Sequence, residues 1–215
     1  MPTPEPDDFV CTGFKPLDEM LGGGIPRGNV VLLRGGPGSG KTTLAMHLMA
    51  HHLTRRRAPT DIQPKAVYVS LELDPKEAMD HAASFAPCAG LQDLETSDDL
   101  RCISYNDLNN DWTTHIAPNA TGGKPTSEEV LVNLLTKHLL LNWEGKYDRL
   151  MVVDSLSILV DLLALHTTED GKELDLRSAM RIVSKLAKRW KDSQVTTVFI
   201  GEHHPSMGEM PDNAA

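Results

Sequence analysis

The residues with the clearest chemical potential form a glycine-rich run that ends in a lysine and two threonines. The pattern G-x-x-x-x-G-K-[ST] predicts a phosphate-binding loop, because its glycines let backbone N–H groups turn towards phosphate oxygens. The lysine then reaches the outer phosphates. We therefore predict that this run binds a nucleoside triphosphate. The predicted nucleotide-binding residues are Gly35, Gly36, Pro37, Gly38, Ser39, Gly40, Lys41, Thr42 and Thr43.

A second chemical element is an aspartate that closes an apolar run, Leu150–Val153 followed by Asp154. A carboxylate at the end of a buried strand beside a phosphate-binding loop can hold Mg²⁺ together with a loop hydroxyl. We predict Thr42 and Asp154 as the Mg²⁺ partners, with Asp154 acting through water. An aspartate that only caps the following helix is the alternative reading of this pattern.

Hydrolysis also needs a carboxylate that polarises the attacking water. The position directly after Asp154 is Ser155, so the best candidate is Glu72, which ends the apolar run Val67–Leu71. The carboxyl ends of strands in an open α/β sheet face the ligand crevice. We predict Glu72 and Lys41 as catalytic residues, and a solvent-facing strand end remains the alternative for Glu72.

These residues must be positioned by alternating strands and helices. Apolar runs predict strands at 29–34, 65–71, 101–104, 150–153 and 196–200. Helical patterns predict helices at 16–21, from the loop to about 57, and at 75–87, 126–143 and 174–192. Strands separated by helices of this length indicate an α/β fold with a mostly parallel sheet and helices on both faces.

Composition and charge limit the remaining possibilities. A length of 215 residues suits one α/β domain. We predict a disordered tail at 1–8, a core at 9–204 and an irregular tail at 205–215. The three cysteines show no metal or redox spacing, and no run is long and apolar enough for a membrane span, so we predict a cytoplasmic protein. The net charge of −9 gives no overall attraction to nucleic acid.

The segment Thr12–Gly28, read together with the phosphate-binding loop, resembles the opening of the KaiC and RadA-like ATPases of the RecA superfamily. The stretch Tyr68–Glu72 is similar to the family strand whose terminal glutamate activates water, and Leu150–Ser155 is similar to its Mg²⁺-binding strand. The resemblance implies a RecA-like P-loop NTPase core and Mg²⁺-dependent hydrolysis of the ATP β–γ phosphoanhydride bond. It also implies assembly into rings or filaments with ATP between subunits.

The sequence departs from this family in three places. The family often has paired glutamates where Glu72 is followed by Leu73, and a polar phosphate sensor where this chain has 201–204. The family also continues with further strands and a Lys or Arg that reaches the neighbour's ATP, whereas 205–215 is turn-like. We expect either a fragment or a trimmed sheet whose phosphate-loop strand lies near an edge.

Three functional interpretations remain open at this point. The first is a KaiC/RadA-like ATPase whose turnover is coupled to self-association. The second is a DNA-dependent recombinase or helicase-like motor that contacts nucleic acid through the 106–126 loop or a basic stripe at Arg177, Arg181, Lys185 and Lys188. The third is a nucleotide-gated interaction module with slow hydrolysis.

Overall fold

The computed structural model describes residues 8–55, 62–85, 98–108, 147–166 and 176–202, together with positions 88, 91, 93, 110 and 136. The strands are β1 (Phe9–Val10), β2 (Ile25–Pro26), β3 (Val30–Gly35), β4 (Gln63–Ser70), β5 (Leu100–Ser104), β6 (Tyr147–Asp154) and β7 (Val195–Glu202). The helices are α1 (Lys15–Met20), α2 (Lys41–Thr54), α3 (Pro75–Ala83), α4 (Leu156–His166) and α5 (Leu176–Asp192).

Five of these strands form one parallel sheet in the order β3-β7-β6-β4-β5. In its register Ser70 lies opposite Asp154, and Asp154 lies opposite Ile200. Because all five strands run in the same direction, their carboxyl ends meet at one edge. The predicted mostly parallel α/β sheet is confirmed.

Each face of the sheet carries its own hydrophobic core, because neighbouring residues of a strand point to opposite faces. Met151 and Val153 of β6 belong to the core that contains α4 and α5. Leu150 and Val152 belong to the core that contains α2 and α3. Burial of both faces explains why the central strands read as continuous apolar runs. Helices on both faces were also predicted correctly.

A short leader, residues 8–29, precedes the sheet. Contacts within the leader and one contact to the sheet hold it in place. Strands β1 and β2 pair antiparallel, with Phe9 opposite Pro26. The Thr12 amide donates to the Asp18 carboxylate at 2.7 Å. The Gly28 amide donates to the Thr196 hydroxyl at 3.0 Å. These contacts fix the start of β3, the strand that leads into the phosphate-binding loop.

The structure corrects several element boundaries. Strand β4 ends at Ser70, so Glu72 lies in the bend beyond the strand rather than at its last position. Helix α4 was not predicted, because only Ser157 and Asp161 interrupt its run of Leu, Ile, Val and Ala, and this polar face is too narrow to show a helical period. Met180 of α5 is 40% exposed, although its spacing of four from Leu176 and three from Val183 predicts a place on the apolar face of the helix. Residues 126–135, 137–143 and 203–215 lie outside the described residues.

Strand β3 lies at one end of the sheet and pairs with β7 alone among the described strands. Its Leu32 side chain is 52% exposed. No described helix combines the length and apolar character that a membrane crossing requires.

Candidate nucleotide-binding site

The glycine-rich loop connects the carboxyl end of β3 to the first residue of α2. Gly40 precedes the helix with φ of +81° in the left-handed region, a conformation that side-chain-bearing residues rarely adopt. The amide of Leu44 donates to the carbonyl of Gly40. The amides that precede Leu44 in the first turn therefore have no acceptor within the helix. Such an unpaired N-terminal turn is an anion-binding geometry, and it opens at the carboxyl edge of the sheet.

Lys41, the first residue of α2, turns back over the loop. Its Nζ donates to the carbonyl oxygen of Gly36 at 2.8 Å. A Cβ atom at position 35 would lie 2.6 Å from the Ser39 Oγ, so a side chain there would require that hydroxyl to move. The contact with Gly36 holds the Lys41 ammonium group against the loop.

Thr42 and Asp154 meet at the base of this cleft. The Thr42 hydroxyl donates to Asp154 Oδ2 at 2.7 Å, and the Tyr68 hydroxyl donates to the same oxygen at 3.4 Å. Asp154 is buried. Burial raises the pKa of its carboxyl group, and the two hydrogen bonds and the charge of Lys41 oppose that shift. The two predicted Mg²⁺ partners thus lie in direct contact.

The donor set at this point suits Mg²⁺, which prefers hard oxygen ligands and usually combines one or two carboxylates with phosphates and water. A hydroxyl and a carboxylate supply the protein oxygens. The described residues contain no group of three or more His, Cys, Asp or Glu side chains able to hold a metal ion. Phosphate oxygens or water would therefore have to complete the coordination.

Glu72 lies across the same cleft, in the bend that follows β4. It is exposed and lines the cleft together with Lys41, Asp154 and Glu202. Partial burial and the negative charges of Asp154 and Glu202 raise the pKa of the Glu72 carboxyl group, while Lys41 lowers it. A carboxylate with a raised pKa is a better proton acceptor, as a general base requires.

Two side chains of the site were not among the predicted residues. Glu202 ends β7 and enters the cleft beside Glu72. Strand carboxyl ends face the crevice, so the argument that favours Glu72 makes Glu202 the next carboxylate to consider if Glu72 faces solvent. Tyr68 contacts Asp154 from the middle of β4, and its one sequence signal is a hydroxyl within an apolar run. Burial raises the Tyr68 pKa, so the hydroxyl remains a donor.

The cleft has a volume of about 410 Å³. The predicted residues that line it are Pro37, Gly38, Gly40, Lys41, Thr42, Thr43, Glu72 and Asp154. Gly35, Gly36 and Ser39 belong to the loop but not to the cleft lining. Residues 203 and 204, considered for the phosphate sensor, lie outside the described residues.

A parallel sheet with this loop and this threonine–aspartate contact defines a RecA-like nucleotide-binding domain. A family model described as ATPase: KaiC matches residues 10–213. The chain therefore belongs to the KaiC ATPase family, within the RecA superfamily. The structure of the KaiC-like protein PH0186 from the archaeon Pyrococcus horikoshii OT3 shares the fold, with a TM-score of 0.59 and 21% identity. That match covers 94% of this chain and 74% of that chain.

Similarity to curated relatives is local. The UPF0273 protein PH0284 of Pyrococcus horikoshii is 40% identical over 76 residues, which are 35% of this chain and 28% of that protein. Protein RecA of Paramagnetospirillum magneticum is 37% identical over 102 residues, 43% of this chain and 26% of that protein. The chain thus aligns with little more than a quarter of each relative's length.

Proposed function

We propose that this chain binds ATP with Mg²⁺ and hydrolyses the β–γ phosphoanhydride bond. The observation that carries the proposal is the 2.7 Å contact between the Thr42 hydroxyl and Asp154, in a cleft that Lys41 and Glu72 also line. A loop for phosphates, an oxygen pair for a hard cation and a carboxylate for water are the components that phosphoryl transfer to water requires.

Each residue has a separate role in this proposal. The loop amides and Lys41 hold the β- and γ-phosphates and stabilise the charge that develops on them. Thr42 and Asp154 would hold Mg²⁺, which when bound neutralises phosphate charge. Glu72 orients the attacking water in line with the bond to be broken and accepts its proton. Tyr68 positions Asp154 through its hydroxyl.

We expect slow turnover by the isolated chain. Lys41 is the one lysine or arginine among the described residues that line the cleft, while Glu72, Asp154 and Glu202 are all negative. Transition-state charge on the phosphates benefits from a further cation, which in shared sites comes from a partner. Self-association into a ring or filament stays a prediction, as does a cytoplasmic location.

The DNA-dependent motor is the second candidate, since Arg177, Arg181, Lys185 and Lys188 are all exposed on one helix, α5. The acidic net charge works against it. A stimulation of ATP turnover by single-stranded DNA at low salt would favour this candidate.

Replacement of Lys41 by alanine tests the proposal most directly. We expect Lys41→Ala to weaken ATP binding by at least about thirtyfold, because it removes a charge-assisted contact to the phosphates. Titration calorimetry with Mg·ATP measures the affinity, and phosphate release measures turnover. Lys76→Ala is the matched control, since Lys76 is exposed at the start of α3 and does not line the cleft. An unchanged ATP affinity in folded Lys41→Ala protein would refute the nucleotide site.

A further inference from the structure

Among the described residues, three acidic side chains line the nucleotide cleft, and the proposed function uses two of them, Asp154 and Glu72. The third, Glu202, is the last residue of β7. Strand β7 lies between β3, which leads into the phosphate-binding loop, and β6, which ends at Asp154. The end of β7 therefore lies between the loop and the proposed metal pair.

The strand register fixes the level of Glu202 in the cleft. Glu202 lies opposite Gly35, the first residue of the loop, while Ile200 lies opposite Asp154. Side chains two residues apart on a strand point to the same face of the sheet. The Glu202 side chain therefore shares the face of Ile200, whose core contains α2 and α3. It also extends beyond the level of Asp154, beside the start of the loop.

Glu202 is exposed, and its negative charge acts on the other acids of the cleft. Burial is the main cause of the raised pKa of the Glu72 and Asp154 carboxyl groups, and the charge of Glu202 adds to it at both. Within the part of the chain that the structure describes, no hydrogen bond or ion pair engages the Glu202 carboxylate. Asp154, by contrast, accepts hydrogen bonds from Thr42 and Tyr68. Glu202 is therefore available to interact with a ligand in the cleft.

A nucleoside triphosphate differs from a diphosphate by one further negatively charged phosphate at the outer end of the chain. In the proposed function, Lys41 and the pair of Thr42 and Asp154 hold that end. A carboxylate that extends beyond Asp154 lies close to the outer phosphate, and like charges repel each other more strongly in a partly enclosed cleft than in bulk water. Glu202 therefore opposes the charge that distinguishes the triphosphate from the diphosphate.

We propose that Glu202 discriminates between nucleoside triphosphate and diphosphate by weakening the binding of the triphosphate. The inference rests on the proposed function, since the loop must hold the phosphates before Glu202 can act on the outermost one. Glu202 is a specificity determinant in this proposal, and Glu72 remains the residue that accepts the proton of water. After hydrolysis the diphosphate is free of the repulsion, so it competes with new triphosphate more strongly than it would without Glu202.

The experiment measures two affinities by titration calorimetry, one for Mg·ADP and one for the β,γ-imido analogue of ATP with Mg²⁺. We expect Glu202→Gln to bind the analogue about three- to tenfold more tightly than the unmodified protein, the range for one charge interaction at a partly exposed site. Its ADP affinity should stay nearly the same. Glu202→Asp retains the charge and should retain the ratio of the two affinities. Glu77→Gln is the control, since Glu77 is exposed and does not line the cleft.

Salt dependence tests whether the effect comes from charge. At high salt the difference between the unmodified protein and Glu202→Gln should shrink, because counter-ions screen the charge of an exposed carboxylate. A difference that stays the same at high salt would overturn the proposal in favour of an effect of side-chain shape. So would a Glu202→Asp protein that behaves like Glu202→Gln, since only one of these variants changes the charge.

The outcomes separate this inference from the nucleotide site. A Glu202→Gln protein that binds the analogue no more tightly than the unmodified protein would overturn the role of Glu202 and leave the nucleotide site standing. An equal gain in affinity for ADP and for the analogue would do the same. If the unmodified protein bound neither nucleotide, the proposed function would fail first and this inference with it.

Discussion

Charged residues lie near both ends of strands β4 and β6, but the balance of positive and negative charge differs between the two ends. Near the amino ends two charged side chains face opposite charges, Asp148 with Arg27 and Lys65 with Asp99. At the carboxyl ends Asp154, Glu72 and Glu202 gather around one cation, Lys41. The edge with paired charges is the one that we expect to be stabilising, and the edge with excess negative charge is the one that we expect to be reactive.

The amino-terminal edge carries ion pairs in which one partner, Asp148 or Lys65, is buried. Asp148 at the start of β6 pairs with Arg27, whose Nη2 also donates to the Phe9 carbonyl at 3.0 Å. Lys65 Nζ lies 2.8 Å from Asp99 Oδ1 and donates to the Asp98 carbonyl at 2.8 Å. Burial lowers the pKa of the Lys65 ammonium group, but the hydrogen bonds and negative charges of Asp99 and Asp98 outweigh burial, so the pKa is raised. This edge joins the leader and the segment before β5 to the sheet.

The carboxyl-terminal edge keeps its charge in excess. The Asp154 and Glu72 carboxyl groups both have raised pKa values, because burial and neighbouring carboxylates disfavour their ionised forms. Like charges held together cost stability and persist where a ligand is to be bound. Mutations at the two edges should therefore have separable effects, with activity lost at one edge and stability lost at the other.

The largest effect is expected at the reactive edge. Glu72→Gln should lower ATP turnover by roughly a hundredfold, the scale for loss of a general base, because an amide cannot accept the water proton. Mg·ATP affinity should stay near that of the parent, since Glu72 contacts neither the loop nor the proposed metal pair. Phosphate release at saturating ATP and titration calorimetry measure the two quantities.

Glu202→Gln is the matched control for this experiment, because Glu202 lines the same cleft from the end of β7. We expect a much smaller loss of turnover than for Glu72→Gln. Turnover that survives in Glu72→Gln but falls in Glu202→Gln would move the catalytic carboxylate to β7. The division between the two edges would survive that result, since both glutamates lie at the carboxyl ends.

At the stabilising edge, Asp148→Asn should cost about 2–3 kcal/mol of unfolding free energy, because it leaves Arg27 and the buried end of β6 without the opposite charge. ATP affinity should not change. Urea denaturation measures the free energy. Glu19→Gln is the control, since the Lys15–Glu19 pair is exposed and its loss should cost less than about 1 kcal/mol. An Asp148→Asn protein that is as stable as the parent, or that binds ATP poorly, would contradict the separation of the edges.

The sequence was most informative where chemistry demands a fixed spacing. The phosphate loop, β3, α2 and Asp154 follow from glycine spacing and from one apolar strand that ends in an acid, and the structure brings Thr42 and Asp154 into contact. Contacts that join distant segments left no such signal. The Arg27–Asp148 pair and the contact between the Phe14 and His47 rings depend on how the leader packs against β6 and α2. Neither residue spacing nor composition records that packing.

The smallest expected effect is a pH dependence of stability at the amino-terminal edge. His52 is buried on α2, and its Nε2 donates to the backbone oxygen of Asp148 at 3.1 Å. Burial lowers the pKa of His52 to about 4 in the folded protein, against about 6.5 in an unfolded chain. Above a pH of about 6.5, His52 is neutral in both the folded and the unfolded protein. Its contribution to the free energy of unfolding is therefore fully present in that pH range.

As the pH falls below about 6.5, His52 becomes protonated in the unfolded state but stays neutral in the folded state. The free energy of unfolding therefore decreases until the pH reaches about 4. By about pH 5.5 the loss should reach about 1.2 kcal/mol relative to pH 7. Urea denaturation at both pH values measures it. His52→Gln should reduce that pH-dependent loss by the same amount, whereas His81→Gln, at an exposed position, should retain it. Equal pH dependence in the parent and His52→Gln would show that His52 is protonated as readily folded as unfolded, and the stabilising edge would then not include it.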